Sequence, residues 1–165
     1  MQAILYLITF LMTHHAAAII QATLHCFLGH RKKGGFIHKI HAYEHHGIYS
    51  QDFMVSDSYL DEAKSLDYLY AVPALLLAIS VYSMVSLDYF LVHIAALGLS
   101  TLAHLYLHVQ YHLKKSPLKR YRWFQRKQQL HLLHHKDMTK NFAVVEFVWD
   151  RLMGTYQGTP LNAEL

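Results

Sequence analysis

Residues 2–28, QAILYLITFLMTHHAAAIIQATLHCFL, contain no Lys, Arg, Asp or Glu. A helix rises about 1.5 Å per residue, so this stretch exceeds the roughly 30 Å hydrocarbon core of a bilayer. The pattern predicts a first crossing over 2–28. No basic segment leads into it and no small-residue cleavage site ends it, so a signal peptide is not expected. Residues 29–68 are polar, with Arg31, Lys32 and Lys33, the pair Gly34 and Gly35, and acids scattered from Asp52 to Asp67. Two further apolar stretches follow, 69–87 and 89–112, interrupted by Asp88. They predict a helical hairpin with its tip near Asp88. From Lys114 onward the chain is mixed and basic.

The charges sort by segment. All 15 Lys and Arg residues lie in 29–68 or 113–165, and Asp88 is the one acid of 11 outside them. One crossing followed by a hairpin puts both charged segments on the same side. The positive-inside rule makes that side the cytoplasm. The expected fold is therefore all-α: an integral, multi-pass membrane protein with about three crossings and a cytoplasmic histidine-rich helical cap. Residues 1–165 are read as one domain. The net charge of +4 then needs no nucleic acid to explain it. A compact chain without a retention signal suits a bacterial inner membrane better than the endoplasmic reticulum. Cys26 is the single cysteine; no intramolecular disulfide can form, and its apolar neighbours mark it as a packing residue.

Histidine changes the picture. There are 15, and ten fall into four groups beside the expected cytoplasmic boundary: His25 and His30; His41, His45 and His46; His108 and His112; His131, His134 and His135. Residues three and four apart share one face of a helix. His108 with His112, His41 with His45, and His131 with His134 and His135 are each expected to reach one centre. The five-residue step from His25 to His30 suits a helix end, where the backbone can turn. Neutral imidazole is the commonest metal ligand, and ten of them exceed the needs of one ion. Two metals, each with about five nitrogen donors, use them naturally. His14, His15, His38, His93 and His104 read as packing or surface residues, although His38 and His41 also have ligand spacing. His14 and His15 lie inside a crossing, so their rings should face protein or a polar cavity.

The order HxxxxH, HxxxHH, hairpin, HxxxH and HxxHH resembles the fatty acid hydroxylase superfamily, which includes sterol desaturases, sphingolipid fatty acid hydroxylases and carotenoid hydroxylases. Residues 123–156 look like that family's closing signature, with HxxHH, then Asn141, then Trp149, Asp150, Gly154 and Thr155 as WDxxxGT. The resemblance covers about residues 15–157. It implies two iron ions held by His25, His30, His41, His45, His46, His108, His112, His131, His134 and His135, with O2 as co-substrate and a lipid as the molecule oxidised. Zinc is possible in isolated protein. Many members carry HxxHH in the second group. Here a His38, His41 register would place Ala42 where the second paired histidine belongs, so His41, His45 and His46 are preferred because they keep three rings.

Attack on an unactivated C–H bond exceeds what side chains can do, so the cofactor supplies the chemistry and the protein positions it. Asn141 and Asp150 are candidates to orient a ligand imidazole or to brace the C-terminal fold, and bracing is preferred for Trp149, Asp150 and Gly154. Glu44 and Asp137 lie near the motifs but are expected to be exposed or indirect. The basic run Lys114, Lys115, Arg120, Arg122, Arg126 and Lys127 faces lipid phosphates, an acidic electron donor or solvent. No electron-transfer module is evident in 165 residues, so a separate donor of the cytochrome b5, ferredoxin or reductase type is expected. The competing classes are carotenoid or sterol hydroxylation, a histidine-ligated haem electron-transfer protein, and a metal-binding protein without catalysis.

Overall fold

The computed structural model describes residues 1–61 and 71–158. Among these residues the regular structure is helical, in seven α-helices: α1 (Gln2–Leu24), α2 (Phe36–His38), α3 (His46–Ile48), α4 (Ala71–Tyr82), α5 (Leu87–Tyr111), α6 (Arg122–Lys136) and α7 (Val148–Met153). The described residues form no named strand; one isolated bridge joins Ser56 and Leu113. The all-helical expectation holds over this range.

Two helical stretches are long and apolar enough to cross a membrane, Gln2–Gly29 and Leu87–Tyr111. Their outer faces carry exposed Ile4, Leu7 and Met12 on α1, and Leu87, Leu99 and Leu102 on α5. Bulky apolar side chains left uncovered along a whole helix are the mark of a lipid-facing surface. The expected middle crossing, 69–87, is described only in part. Its first residues, 69 and 70, lie outside the described residues. Helix α4 covers Ala71–Tyr82, about 18 Å of rise over its described residues. The hairpin tip falls at residues 83–86, near Asp88 as expected. Ser86 is extended and opens α5, and Asp88 sits in the first helical turn. There an acid complements the positive end of the helix dipole, so Asp88 starts the helix instead of interrupting it.

Helices α1 and α5 pack side by side. Ala17 of α1 and Leu97 of α5 meet Ala78 of α4 in one small buried cluster. Small residues let helix backbones approach closely in lipid, where no hydrophobic force drives them together. Polar pairs stitch the same seam: Tyr6 donates to Asp88 at 2.6 Å, the Thr13 hydroxyl meets His93 at 2.5 Å, and His14 meets Ser100 at 2.7 Å.

The C-terminal segment packs along α1 instead of merely covering its end. Glu146 lies 3.2 Å from His14 and 2.7 Å from His15, and Trp149 sits edge-on to His15. About 15 Å of helix rise separates His15 from His25, so this segment reaches well up the span. Two buried apolar clusters hold it there. Leu130, Ala143 and Phe147 close on Ala22 of α1, and Phe124 and Val144 close on Leu107 and Tyr111 of α5.

The turn between α6 and α7 is pinned by two polar side chains. Asp150, fully buried, accepts from the backbone of Phe142 at 2.7 Å and Ala143 at 2.9 Å, and from the Thr155 hydroxyl at 2.8 Å. Burial raises its pKa while these donors oppose the rise. Asn141 takes a positive φ of 53°, a conformation Asn tolerates because its short amide bonds locally. Its side chain donates to the Leu130 and Gln157 carbonyls and accepts from the Gln157 amide. Gly154, at φ 72°, ends α7 in the left-handed cap conformation that glycine adopts without a Cβ penalty.

Candidate metal centre

The ten expected histidines come together, in two clusters. One holds His25, His30, His41 and His134; the other holds His45, His108, His112 and His131. Within each cluster, one ring nitrogen per residue lies within 4.8 Å of every other. With metal–nitrogen bonds of about 2.0–2.1 Å, donors on opposite sides of one ion are about 4.2 Å apart. Each cluster is therefore the size of a single coordination sphere. His46 and His135 stack on each other at 4.1 Å along the border. His46 lies within 5.0 Å of His30, His41 and His134, and His135 within 5.0 Å of His45, His112 and His131. The division is five and five.

The local backbone produces this division. Residues His25–Gly29 and Lys39–His45 are wound as π-helix, in which hydrogen bonds step five residues and residues five apart come onto one face. That winding aligns His25 with His30, and His41 with His46. On α6 the ordinary four-residue step aligns His131 with His135. The adjacent pairs are split: His45 and His46 turn to different clusters, as do His134 and His135. Consecutive helical side chains point in different directions, so an HH pair serves two centres. The expectation that His131, His134 and His135 share one centre is corrected on this ground, as is the pairing of His41 with His45.

Each imidazole needs its second nitrogen held. A carbonyl or carboxylate can only accept, so these contacts assign the proton to Nδ1. Nδ1–H of His25 donates to the Phe142 carbonyl at 2.5 Å, of His112 to Met54 at 2.8 Å, of His134 to Lys140 at 2.7 Å and of His135 to Tyr49 at 2.9 Å. His45 donates to the Asp61 carboxylate at 2.8 Å. These bonds fix ring orientation and leave the Nε2 lone pairs pointing inward, the arrangement that carboxylate or carbonyl partners give to metal-bound histidine. Tyr49, fully buried, stacks on the His112 ring at 3.9 Å.

The inward nitrogens test whether metal fits. Nε2 of His45, His134 and His135 and both nitrogens of His46 are buried without a hydrogen-bond partner. His25 Nε2 faces His41 Nε2 at 2.6 Å, and His131 Nε2 faces His112 Nε2 at 3.0 Å. An unsatisfied buried polar group costs about 1–3 kcal/mol, and several at one point mark a missing common partner. Burial, reinforced by neighbouring imidazoles, holds His41, His45, His46, His112, His131 and His134 well below the usual histidine range. His30 and His135 are lowered to about 3, chiefly by burial. These eight rings are neutral at pH 7, the form that binds cations. The residues present fit a pair of metal ions. His30 is the one ring of the ten that is only partly buried.

The remaining histidines lie elsewhere. His14, His15 and His93 have polar partners along the α1–α5 seam and on Glu146. His38 donates to the Gly29 carbonyl at 2.9 Å and packs on Tyr43, so His41 and not His38 stands in the clusters. His104 is buried beneath His108, with ring centres 6.2 Å apart. Glu44 is exposed, and Asp137 turns to the Thr139 amide and hydroxyl. The hydrogen bonds of Asn141 and Asp150 go to the backbone and Thr155. They hold the turn that carries the Lys140 and Phe142 carbonyls, so their influence on His134 and His25 is indirect. Asp61 was legible only as one acid in a run. The supporting carbonyls have no sequence signal, because every residue has one.

The fatty acid hydroxylase family pattern matches residues 10–155. Comparison with curated proteins and with solved structures returns no match. The matched span contains all ten clustered histidines, Asp61, and the Asn141 and Asp150 brace, and on that match the chain belongs to the fatty acid hydroxylase family.

Proposed function

We propose that this protein is a membrane di-iron oxygenase that hydroxylates or desaturates a lipid such as a fatty acyl chain. The overall change for hydroxylation is RH + O2 + 2 e⁻ + 2 H⁺ → ROH + H2O; desaturation uses the same oxidant and electrons, loses two hydrogens from adjacent carbons and yields two waters. The observation that carries the reading is the pairing of two five-histidine clusters, eight of whose rings meet within single coordination spheres. Family membership supports lipid oxidation as the class.

His25, His30, His41, His46 and His134 would hold one iron, and His45, His108, His112, His131 and His135 the other. The irons, when bound, supply the O2-derived oxidant that no side chain provides. The protein's own work is positional. Asp61 and the carbonyls of Tyr49, Met54, Lys140 and Phe142 lock five imidazoles in the tautomer that presents Nε2. The buried setting of nine of the ten rings keeps water from the centre, which limits loss of the oxidant to side reactions. The lipid reaches the centre from the bilayer past α1 and α5, with His30 at the open edge. The centre lies on the cytoplasmic side, where the 15 cationic residues gather, and a separate protein delivers the electrons.

The test is mass spectrometry of total lipid from cells with and without the protein under ¹⁸O2. The reading predicts a lipid that gains one labelled oxygen, or loses two hydrogens, only with the intact protein. An unchanged lipid profile in cells whose purified protein carries iron would overturn it.

A further inference from the structure

A second site lies outside the histidine clusters. Along one side of α6 and α7 there is a cavity of about 630 Å³, within the size range of ligand pockets. Four cations line it, Arg122, Arg126, Lys127 and Arg151, over an apolar floor that includes Trp123 and Phe147. Among the described residues no acid lines it and none of the four makes an ion pair with a carboxylate. Lys127 donates to the Val145 carbonyl and feels Glu146 nearby. Arg151 lies 4.4 Å over the Tyr156 ring and Lys127 5.9 Å from the Trp123 ring. Burial would raise the Tyr156 pKa, but hydrogen bonds to Arg151 and Arg126 outweigh it and bring the phenol below its usual value.

The cavity does not end in solvent on every side. Val148 is a wall common to it and to a second, almost wholly apolar groove of about 430 Å³. That groove is lined by Met12, Ala16 and Ile19 of the membrane-spanning α1, facing Trp149 and Leu152 of α7. Met12 is 68% exposed and Leu152 71%. A cationic cup joined to an apolar groove on a lipid-facing helix has the two-part chemistry of an anionic amphiphile. Arginine suits phosphate because its planar fork binds two oxygens at once. An acidic protein partner would satisfy the cup and leave the groove, which runs along a span, unexplained.

We propose that this cup and groove bind an anionic phospholipid, its phosphate among Arg122, Arg126 and Arg151 and an acyl chain along α1 between Met12 and Ile19. The site is distinct from the metal centre: none of the ten clustered histidines lines either part, and His15 is the one histidine that does.

The chain's two tryptophans, Trp123 and Trp149, border the cup and the groove and report on each. The full protein is placed in phosphatidylcholine nanodiscs doped with phosphatidylglycerol or phosphatidylcholine bearing brominated acyl chains, and tryptophan fluorescence is read. The proposal predicts saturable quenching by the brominated anionic lipid at mole fractions where the brominated zwitterionic lipid quenches little. Most of that quenching should disappear in W149F. R126Q/R151Q should weaken the preference on the order of tenfold, given the attraction of each cation for anionic lipid. K114Q/K115Q should keep it. All four side chains are exposed, so neither variant disturbs the core. Equal quenching by the two lipids, or equal loss of preference in both double variants, would overturn the proposal. Full reversal of quenching by inorganic phosphate would also overturn it, by showing that the acyl chain adds nothing. None of these readouts depends on bound iron or turnover.

Discussion

Helices α1 and α5, with the residues that cap them, carry histidines of two kinds, and the contrast separates structural imidazoles from candidate metal ligands. Midway along the span, His14 and His93 are matched within the seam: His93 with Thr13, and His14 with Ser100 and Glu146. These polar pairs hold α1 against α5. At the other end of the same helices, His25 and His112 donate Nδ1–H to backbone carbonyls, and their Nε2 atoms face other histidines. The difference lies in what the second nitrogen meets. A seam histidine finds a side chain of complementary chemistry. A cluster histidine finds further imidazoles with the same lone pair, an arrangement made favourable by a shared cation.

The sharpest way to break this contrast is to remove one ring from either cluster. His134→Ala or His135→Ala should abolish turnover and lower bound metal, since each strips one of five donors from a different cluster. Wild-type activity in either variant, measured by lipid product and metal analysis, would erase the distinction. Asp61→Asn comes next. It weakens the acceptor that holds the His45 ring and should lower metal affinity at that cluster by about 10–100-fold, read by competition with a chelator. Unchanged affinity would show that the Asp61 contact is incidental.

Asp150→Ala probes the support of the clusters. It leaves the buried Phe142 and Ala143 amides without acceptors and should destabilise the fold by about 2–5 kcal/mol, seen as a lower midpoint of thermal unfolding in detergent. Metal should be lost with unfolding and not before it. The smallest effect is expected at the seam. His93→Ala removes one interhelical hydrogen bond, worth about 0.6 kcal/mol in a membrane protein, and should leave activity largely intact. An inactive His93→Ala protein with a normal fold would place the seam inside the catalytic machinery.

The sequence made the histidine groups, the two long apolar stretches and the family resemblance legible, because ligand chemistry and bilayer thickness both leave marks at fixed spacing. It did not reveal how the groups divide. The π-turns at His25–Gly29 and Lys39–His45 shift the face on which residues fall, and nothing in HCFLG or KIHAYEH announces a five-residue step. Nor did charge patterning show that the C-terminal segment climbs α1 to meet His14 and His15. That depends on Glu146, a single acid whose partners lie more than a hundred residues away in sequence. The carbonyls that set the tautomers are invisible for the same reason: they are placed by tertiary packing and not by residue type.

The central claim is that two cations sit side by side, one in each five-histidine cluster. Iron is added back anaerobically to purified full-length protein, and the ratio of bound metal to chain is measured with X-ray absorption at the iron edge. Two irons per chain in a nitrogen-rich shell is the predicted result. A single iron, or iron without imidazole scattering, would contradict it.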